Sequence, residues 1–392
     1  MSRRQLFGSL CAMVFLVNLG RVLFAPLLEP LIVDFETTRT TMGLVATLAW
    51  MGSALPRIPT GYLLTRVRRH RVVLLTGFIL TAASLFTAAA SSVEMLMVGS
   101  FSMGVASGAY FIAANPLVSE LYPQRLGRAI GVHGMSSQMA AVLAPLLVTA
   151  VLFVDDWRSV FQLVAVVALL ATAVLFLVAR RTDIPQGGAS DRNLLTAVKK
   201  QWRIILAGIA FVGVASFVWN GLFNWYPSYL TVKGLSPETS RTMLSVVFAA
   251  GVPAFLVGGR FADRFDTVRL QLAIVGAFAL SLVALTFAAG LIQIIVVSTI
   301  IGFVIHSMFP TVDTFLLSSL PDQHRASAYS VYSGTMMPMQ ATGSYVVGGL
   351  TDVGYSYGTI YQFFAVCLVG VMVVLFVLNR AGRIPRRGRT DA

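Results

Sequence analysis

The stretch that decides the fold is GYLLTRVRRHR, Gly61 to Arg71, because it returns 198 positions later as GRFADRFDTVR, Gly259 to Arg269. Each copy begins with a glycine, reaches an arginine five residues on, at Arg66 or Arg264, and ends on a base. An apolar stretch precedes and follows both copies. We interpret the two segments as short charged loops between membrane spans of a duplicated protein.

The composition indicates a membrane protein. Apolar residues make up 57% of the chain and charged residues 11%, and the apolar residues fall in runs near the roughly 20 residues that cross a bilayer. A spanning helix satisfies its backbone hydrogen bonds internally. The sequence therefore predicts an all-α protein with twelve transmembrane helices, at residues 7–30, 42–63, 73–91, 95–118, 128–152, 160–179, 204–229, 240–259, 269–289, 292–317, 327–350 and 357–379.

The net charge of +13 could indicate a nucleic-acid partner. The positions of the basic residues along the chain decide whether this interpretation holds. With the N-terminus in the cytoplasm, most of the 29 Lys and Arg residues fall on the cytoplasmic side, and the outer side keeps only Arg39, Arg158, Lys233 and Arg241. This asymmetry is typical of membrane orientation. It predicts cytoplasmic termini, a multi-pass protein of the plasma (inner) membrane surrounded by lipid, and no nucleic-acid partner.

Other matched segments extend the duplication along the chain. ETTRTTM at 36–42 returns as ETSRTM at 238–243, and FQL at 161–163 returns as YQF at 361–363. Parallel repeats of this kind build two bundles related by an axis along the membrane normal. We expect six-helix bundles at residues 1–180 and 204–392, the second with a short basic tail, joined by a cytoplasmic linker at 181–203. Cys11 and Cys367 lie within predicted spans and offer no metal spacing, so neither a metal nor a cofactor is predicted.

The chain resembles the major facilitator superfamily of secondary transporters. The resemblance rests on the six-plus-six spans, on the repeated loop motif, and on DWRSVF at 156–161 before span six. It covers nearly the whole chain and implies a monomeric solute carrier with no catalytic residues. It also implies a central cavity that opens alternately to each side of the membrane.

The loop motif departs from the family pattern. The family's usual acidic residue in the first copy is Thr65 here, whereas the second copy keeps Asp263. In the family this segment latches the cytoplasmic side, so the resemblance implies a cytoplasmic gate formed by Gly61, Arg66, Arg69, Glu120, Gly259, Asp263 and Arg264. The alternative is that these bases only fix topology.

Arg21 is the best candidate for substrate binding. It lies within span one, where a charge is costly and normally faces a cavity or a partner, and Asn18 shares its helical face. Guanidinium donors match a carboxylate or phosphate. The alternatives are a structural ion pair and a side chain that snorkels to the interface. Arg57 in span two is a less certain companion.

The segment Asn18 to Pro26 also resembles the first span of the superfamily's anion-transporting branches, in which an Arg meets an anionic substrate. The organophosphate antiporters would place a second Arg in span seven, where this chain has Asn220 and Asn224. The resemblance therefore argues against phosphate esters and leaves carboxylates or other organic anions open.

Span seven and span eleven supply further candidates. Asn220 and Asn224 lie one helical turn apart and could orient a substrate, with Trp225 and, from span eleven, Gln340 in the cavity wall. The alternative for Trp225 is an interfacial aromatic belt.

Coupling to protons needs a group that changes its charge. Asp313 in span ten is the best carboxylate within a span, and His306 lies on nearly the same helical face. His133 in span five is the third candidate, although a lone histidine is more often a packing residue.

Three functions stay open. The first is proton-coupled transport of a small organic anion. The second is drug or metabolite efflux by proton antiport, which the absence of a Gly-Pro ending in span five, where Ala144 precedes Pro145, makes less favoured. The third is a non-transporting membrane sensor or enzyme, for which the sequence offers no catalytic or metal motif.

Overall fold

The computed structural model describes residues 3–64, 66–182, 194–382 and 384, and every regular element within these ranges is helical. The first half contains α1 Arg3–Val22, α2 Phe24–Asp34, α3 Arg39–Ala54, α4 Arg57–Leu63, α5 Arg69–Ala88, α6 Val93–Leu121, α7 Leu126–Leu152 and α8 Trp157–Arg180. The second half contains α9 Leu194–Val232, α10 Pro237–Arg264, α11 Thr267–Phe287, α12 Gly290–Ser319, α13 Asp322–Ala341, α14 Gly343–Asp352 and α15 Tyr357–Arg380.

The chain divides into two compact units, Met1–Ser190 and Asp191–Ala392, which we name the N-terminal unit and the C-terminal unit. In the N-terminal unit α6 packs on α3 and α5, α5 packs on α8, and α1 packs on α6, α7 and α8. In the C-terminal unit α12 packs on α10 and α11, α11 packs on α15, and α9 packs on α12, α13 and α15. The two sets of contacts correspond one for one, so the repeat in the sequence is also a repeat of internal packing.

Glycines at matched positions bring helix backbones together in both units. A Cβ added at Gly104 of α6 would overlap the Ala49 carbonyl oxygen of α3, and a Cβ added at Gly302 of α12 would overlap the Val247 carbonyl oxygen of α10. Gly104 and Gly302 are 198 positions apart, and so are Ala49 and Val247, which is the offset of the loop repeat. Small residues of this kind let two membrane helices approach closely.

Three predicted spans consist of interrupted helices. The predicted span at 7–30 is divided between α1 and α2 at Leu23. The predicted span at 42–63 is divided between α3 and α4, because Pro56 has no N–H to donate to the carbonyl of Gly52. The predicted span at 327–350 is divided between α13 and α14 at Thr342, whose hydroxyl donates to the Met339 carbonyl at 2.8 Å. A side chain that bonds the preceding turn in this way competes with the helical ladder.

Helix α9 begins at Leu194, ten residues before the predicted start of span seven at residue 204. The earlier residues are mostly Leu, Ala, Lys and Gln, which favour a helix whether or not they are apolar. Much of the predicted linker 181–203 is therefore helical, and residues 183–193 of it lie outside the described residues.

Ten helical segments of the described residues are long and apolar enough to cross a membrane. They are α1 with α2, α5, α6, α7, α8, α9, α10, α11, α12 and α15. The pairs α3 with α4 and α13 with α14 are not among them. The prediction of an all-helical chain with many apolar spans is confirmed, and ten of the twelve predicted spans meet this test.

A cation caps the end of the matched helices α5 and α11. Arg158 Nη2 donates to the Ala90 carbonyl at 3.4 Å, and Lys233 Nζ donates to the Ala288 carbonyl at 2.7 Å. Cations stabilise the carbonyl end of a helix. Partial burial also lowers the pKa of the Lys233 ammonium.

Candidate functional site

Arg21 lies in the last turn of α1, and its guanidinium has well-defined partners. Nη2 donates to Asn18 Oδ1 at 2.5 Å, and Nη1 donates to Ser53 Oγ of α3 at 3.2 Å. The guanidinium carbon lies 4.0 Å from the centre of the Trp50 ring, also of α3. Two hydrogen bonds and one stacked ring thus fix the plane and the edges of the guanidinium.

The charge of Arg21 has no counter-ion within the described part of the chain. Its three contacts are an amide, a hydroxyl and an indole, and the ion pairs found there join other residues. The Nε atom is enclosed and has no hydrogen-bond partner among the described residues. A guanidinium has five N–H donors, so the group retains donors for a ligand. A structural ion pair, the alternative expected from the sequence, would need a carboxylate, and no carboxylate among the described residues pairs with Arg21.

Arg57 at the start of α4 converges on the same serine. Its Nε donates to the Ser53 backbone carbonyl at 3.2 Å, while the Ser53 hydroxyl accepts from Arg21. Ser53 is fully buried. One residue of α3 therefore anchors both guanidinium groups predicted to contact the substrate.

Asn18 connects this cluster to α7. Its Nδ2 donates to the Ser137 carbonyl at 2.7 Å, while its Oδ1 accepts from Arg21. The amide is buried and uses both of its ends. Asn18 therefore holds the Arg21 guanidinium and links α1 to α7 at this level.

His133 of α7 lies in a separate polar contact of the N-terminal unit. Tyr110 Oη is 2.6 Å from the Leu10 carbonyl and 3.0 Å from His133 Nε2. A carbonyl can only accept, so the hydroxyl proton goes to Leu10 and Nε2 carries the proton that it donates to Tyr110. The structure gives His133 a buried polar partner and a stacked ring, 5.8 Å between centroids.

In the C-terminal unit, the predicted amides lie on a buried face of α9. Asn224 Nδ2 donates to the Asn220 backbone carbonyl at 2.9 Å, and both side chains are buried. One turn earlier, Ser216 extends the same face. Ser216 Oγ and Asn220 Nδ2 are enclosed and have no hydrogen-bond partner among the described residues, so this face has spare polar capacity.

Trp225 is fully buried, and its Nε1 donates to the Ser344 carbonyl of α14 at 2.8 Å. Tyr226 and Tyr229 beside it are also buried. An aromatic belt would be exposed at the membrane interface, so the structure gives Trp225 a packing position in the C-terminal unit. Gln340 near the end of α13 is buried as well.

Asp313 of α12 is joined to α13 by a hydrogen bond. Tyr329 Oη donates to Asp313 Oδ1 at 2.9 Å, and the Tyr332 ring packs 5.9 Å from that of Tyr329. The described ion pairs do not include Asp313. A carboxylate held by a tyrosine hydroxyl, with no cation paired to it in these residues, can change its charge without breaking an ion pair.

His306 of α12 is surrounded by aromatic rings. Its Nδ1 lies 2.7 Å from the Gly302 carbonyl, which fixes the proton on that nitrogen. The Trp219 ring lies 5.3 Å away, the Phe248 ring 5.8 Å and the Phe255 ring 5.9 Å. His306 and Asp313, expected on one helical face, thus have different partners, one among rings and the other on α13.

The predicted cytoplasmic gate includes one ion pair. Arg69 Nη1 of α5 pairs with Glu120 Oε1 of α6, and Arg66 Nη2 donates to Tyr62 Oη at 2.7 Å. Arg69 and Glu120 are both among the residues expected to form this gate. The role of the pair as a gate stays a prediction.

Among the gate residues whose side chains the structure describes, Gly61, Gly259 and Arg264 show no such contact. A Cβ added at Gly61 or Gly259 would meet nothing within 4 Å, so neither glycine is required by packing. Arg264 is exposed at the end of α10. The side chain of Asp263 and the whole of Thr65 lie outside the described residues.

Several residues around these sites were missed at the sequence level. Trp50, Ser53, Tyr110 and Tyr329 reach their partners from helices distant in the sequence, so no local pattern identifies them. Ser216 could have been found, because it lies four residues before Asn220. Within the described residues no group of three His, Cys, Asp or Glu side chains could hold a metal ion.

Comparison with known proteins identifies the class. The family model of the Major Facilitator Superfamily matches residues 10–343 and 243–391. A probable sulfoacetate transporter of Cupriavidus necator is 24% identical over 386 residues, covering 91% of this chain and 87% of the relative. A probable sugar efflux transporter of Helicobacter acinonychis is 25% identical over 256 residues, which span 64% of each protein.

A solved structure shares the fold. The bacterial homologue of the human lysosomal transporter Spinster, in its inward-facing and occupied conformation, superimposes with a TM-score of 0.80 at 19% identity, covering 98% of this chain and 99% of the other. Fold and relatives together define a multi-pass membrane transporter rather than an enzyme. The chain belongs to the Major Facilitator Superfamily, as the sequence analysis expected.

Proposed function

We propose that the protein is a secondary transporter of a small organic anion, working by alternating access and coupled to protons. The observation that carries the proposal is the Arg21 guanidinium, a cation within a predicted span. Within the described part of the chain its partners are neutral and its Nε has no hydrogen-bond partner. A charge in a membrane is costly unless something compensates it. An anionic substrate supplies that compensation, and Arg57, anchored on the same Ser53, adds a second positive charge to the site.

The geometry favours a carboxylate or a similar oxyanion. Guanidinium donors at fixed angles suit a group with two or more acceptor oxygens, and Asn18 with Ser53 holds those donors in place. The relative from Cupriavidus necator is named for sulfoacetate, an organic anion, and it aligns over most of both chains. In this proposal, Asn220, Asn224 and Gln340 contact the less charged part of the substrate and Trp225 supports them by packing.

We assign proton coupling to Asp313. A carboxylate that is held by Tyr329 loses its charge on protonation, so the two protonation states stabilise different arrangements of α12 and α13. His306 and His133 are the other candidates. Each already has a buried hydrogen-bond partner, which makes each the weaker choice.

The topology belongs to the same proposal. The pairs α3 with α4 and α13 with α14 would each cross the membrane as a bent unit, which completes twelve spans in bundles at residues 1–180 and 204–392 joined by the linker at 181–203. Both termini would lie in the cytoplasm, the protein would be a monomer of the plasma (inner) membrane, and Arg69 with Glu120 would belong to the cytoplasmic gate.

Uptake into proteoliposomes tests the substrate class. Labelled acetate, sulfoacetate, choline and galactose are offered to the wild type, to Arg21→Ala and to the control Arg380→Ala, whose guanidinium packs on Phe376 at the end of α15. We expect wild type and control to move an anion and Arg21→Ala to lose that transport. Movement of choline with full activity of Arg21→Ala would show that the substrate is not an anion.

Export of a solute is the second candidate function. The relative from Helicobacter acinonychis, named as a probable sugar efflux transporter, favours this direction. Arg21 opposes a cationic export substrate, whereas export of an anion or a sugar is compatible with it. Loading the vesicles with labelled acetate or galactose and following release under an inward proton gradient separates export from uptake.

A further inference from the structure

Gln138 of α7 carries a side-chain hydrogen-bond donor one residue after Ser137, whose carbonyl contacts Asn18. Its Nε2 atom is enclosed and has no hydrogen-bond partner among the described residues. The residue directly before it is Ser137, whose carbonyl accepts the 2.7 Å hydrogen bond from Asn18. Asn18 in turn accepts from Arg21. Gln138 is therefore adjacent along α7 to the residue that ties this helix to the Arg21 cluster.

Two enclosed donors that have no partner in the described part of the chain thus belong to this one pair of helices. Arg21 Nε is on α1 and Gln138 Nε2 is on α7, and these helices pack on each other. Buried donors are nearly always satisfied, because leaving one unpaired costs the full desolvation of the group. A ligand that brings acceptor oxygens would satisfy both donors together.

The two donors differ in what they select. The Arg21 guanidinium is charged and attracts any anion. The Gln138 amide is neutral and strengthens the binding only of a group with a hydrogen-bond acceptor within its reach. Charge would therefore be recognised by Arg21, and the position of the acceptor oxygens by Gln138. Spherical anions such as halides would gain less from the second donor than oxyanions.

We propose that Gln138 is a second substrate-binding residue, which donates to an oxygen of the headgroup held by Arg21 and restricts the site to compact oxyanions such as carboxylates and sulfonates. This rests on the proposed function, because it assumes an anion at Arg21. The amide contributes to binding and not to coupling, so its loss should raise KM and leave the maximal rate close to that of the wild type.

Uptake kinetics of labelled acetate and methanesulfonate, with chloride as competitor, test the proposal in the full-length protein. Gln138→Leu removes the donor and Gln138→Glu replaces it with a negative group of nearly the same shape. The control is Gln271→Leu in α11 of the C-terminal unit, since Gln271 is also a buried amide without partners among the described residues. We expect KM to rise about tenfold in Gln138→Leu and further in Gln138→Glu, and to stay within about twofold in Gln271→Leu.

The outcomes separate the two proposals. Loss of transport in Arg21→Ala together with wild-type KM in Gln138→Leu would overturn the role of Gln138 alone. Intact anion transport in Arg21→Ala would overturn the proposed function itself. If Gln138→Leu does not yield a monodisperse protein, Gln138→Glu decides, and wild-type KM in that variant overturns the proposal. An equal rise of KM in Gln271→Leu would do the same, because the effect would then belong to any buried amide.

Discussion

The two units share their packing and differ in their charges. Each has the same set of helix contacts, and the same glycine approach occurs at Gly104 and at Gly302. The N-terminal unit places the guanidinium of Arg21 among neutral partners, whereas the C-terminal unit places the carboxylate of Asp313 against a tyrosine. The difference indicates that the scaffold is repeated while the polar residues diverged. On the proposed function, one unit binds the anion and the other binds the proton.

The largest expected effect comes from Asp313→Asn. Asparagine can still accept from Tyr329 but cannot change its charge, so accumulation driven by an imposed pH gradient should fall to background. Exchange of labelled anion without a gradient should persist, because Arg21 is untouched. Asp352→Asn at the end of α14 is the matched control. If Asp313→Asn accumulates as much anion as the wild type, the two units do not divide anion binding and proton coupling between them.

Arg21→Lys tests the other side of the comparison. Lysine keeps the charge but cannot hold Asn18 and Ser53 together through one planar group. Loss of one to two charge-assisted hydrogen bonds should lower kcat/KM for the anion about 10- to 100-fold. Arg380→Lys should change it little. Full activity of Arg21→Lys would mean that charge alone, without the fixed fork, is sufficient.

The shared packing is tested by Gly104→Ala and Gly302→Ala. Each added methyl overlaps a carbonyl oxygen of the facing helix, so each should lower stability by about 1–3 kcal/mol in thermal unfolding in detergent. Gly259→Ala, where an added methyl meets nothing within 4 Å, is the control. If the losses of stability at positions 104 and 302 differ clearly, the two matched contacts repeat in geometry but not in their contribution to stability.

The smallest expected effects are at the caps of α8 and α15. Asp156 accepts from the Arg158 N–H, and Ser356 accepts from the Thr359 N–H at 3.1 Å, so the two caps occupy matched places in the units. Replacing either residue with alanine should cost about 1 kcal/mol of stability. The same unfolding measurement checks them, and a null result at both positions would show that these helix ends do not limit unfolding.

The sequence predicted what depends on local patterns. Apolar runs of near-membrane length place most helices, and the repeated loop reveals the duplication, because both are properties of contiguous residues. It did not predict that α9 begins at Leu194, because helix propensity extends beyond the apolar run. The break between α3 and α4 could have been expected from the prolines near residue 56. The break at Thr342 could not, because it depends on a hydroxyl that bonds the preceding turn.

The sequence identified the central residues of the candidate site but not the residues that surround them. Arg21 and Asn18 could be paired because they lie one helical turn apart. Ser53 is 32 positions from Arg21, and Tyr329 is 16 positions from Asp313 on another helix. Such partners depend on how helices pack, which one sequence does not contain. The burial of Trp225 has the same origin, since only the neighbouring helices distinguish a packed ring from a belt.

The interrupted helices α13 and α14 have a consequence for how the protein is made. Neither piece is among the helical segments of the described residues that are long and apolar enough to cross a membrane. If the two pieces cross the membrane together, as proposed, their contacts with α9 would supply part of the free energy that holds them there. On the proposed topology, this segment would be stably inserted only after α9 is already in the membrane, so a change on the facing surface of α9 could lower the amount of assembled protein without touching any residue that contacts the substrate.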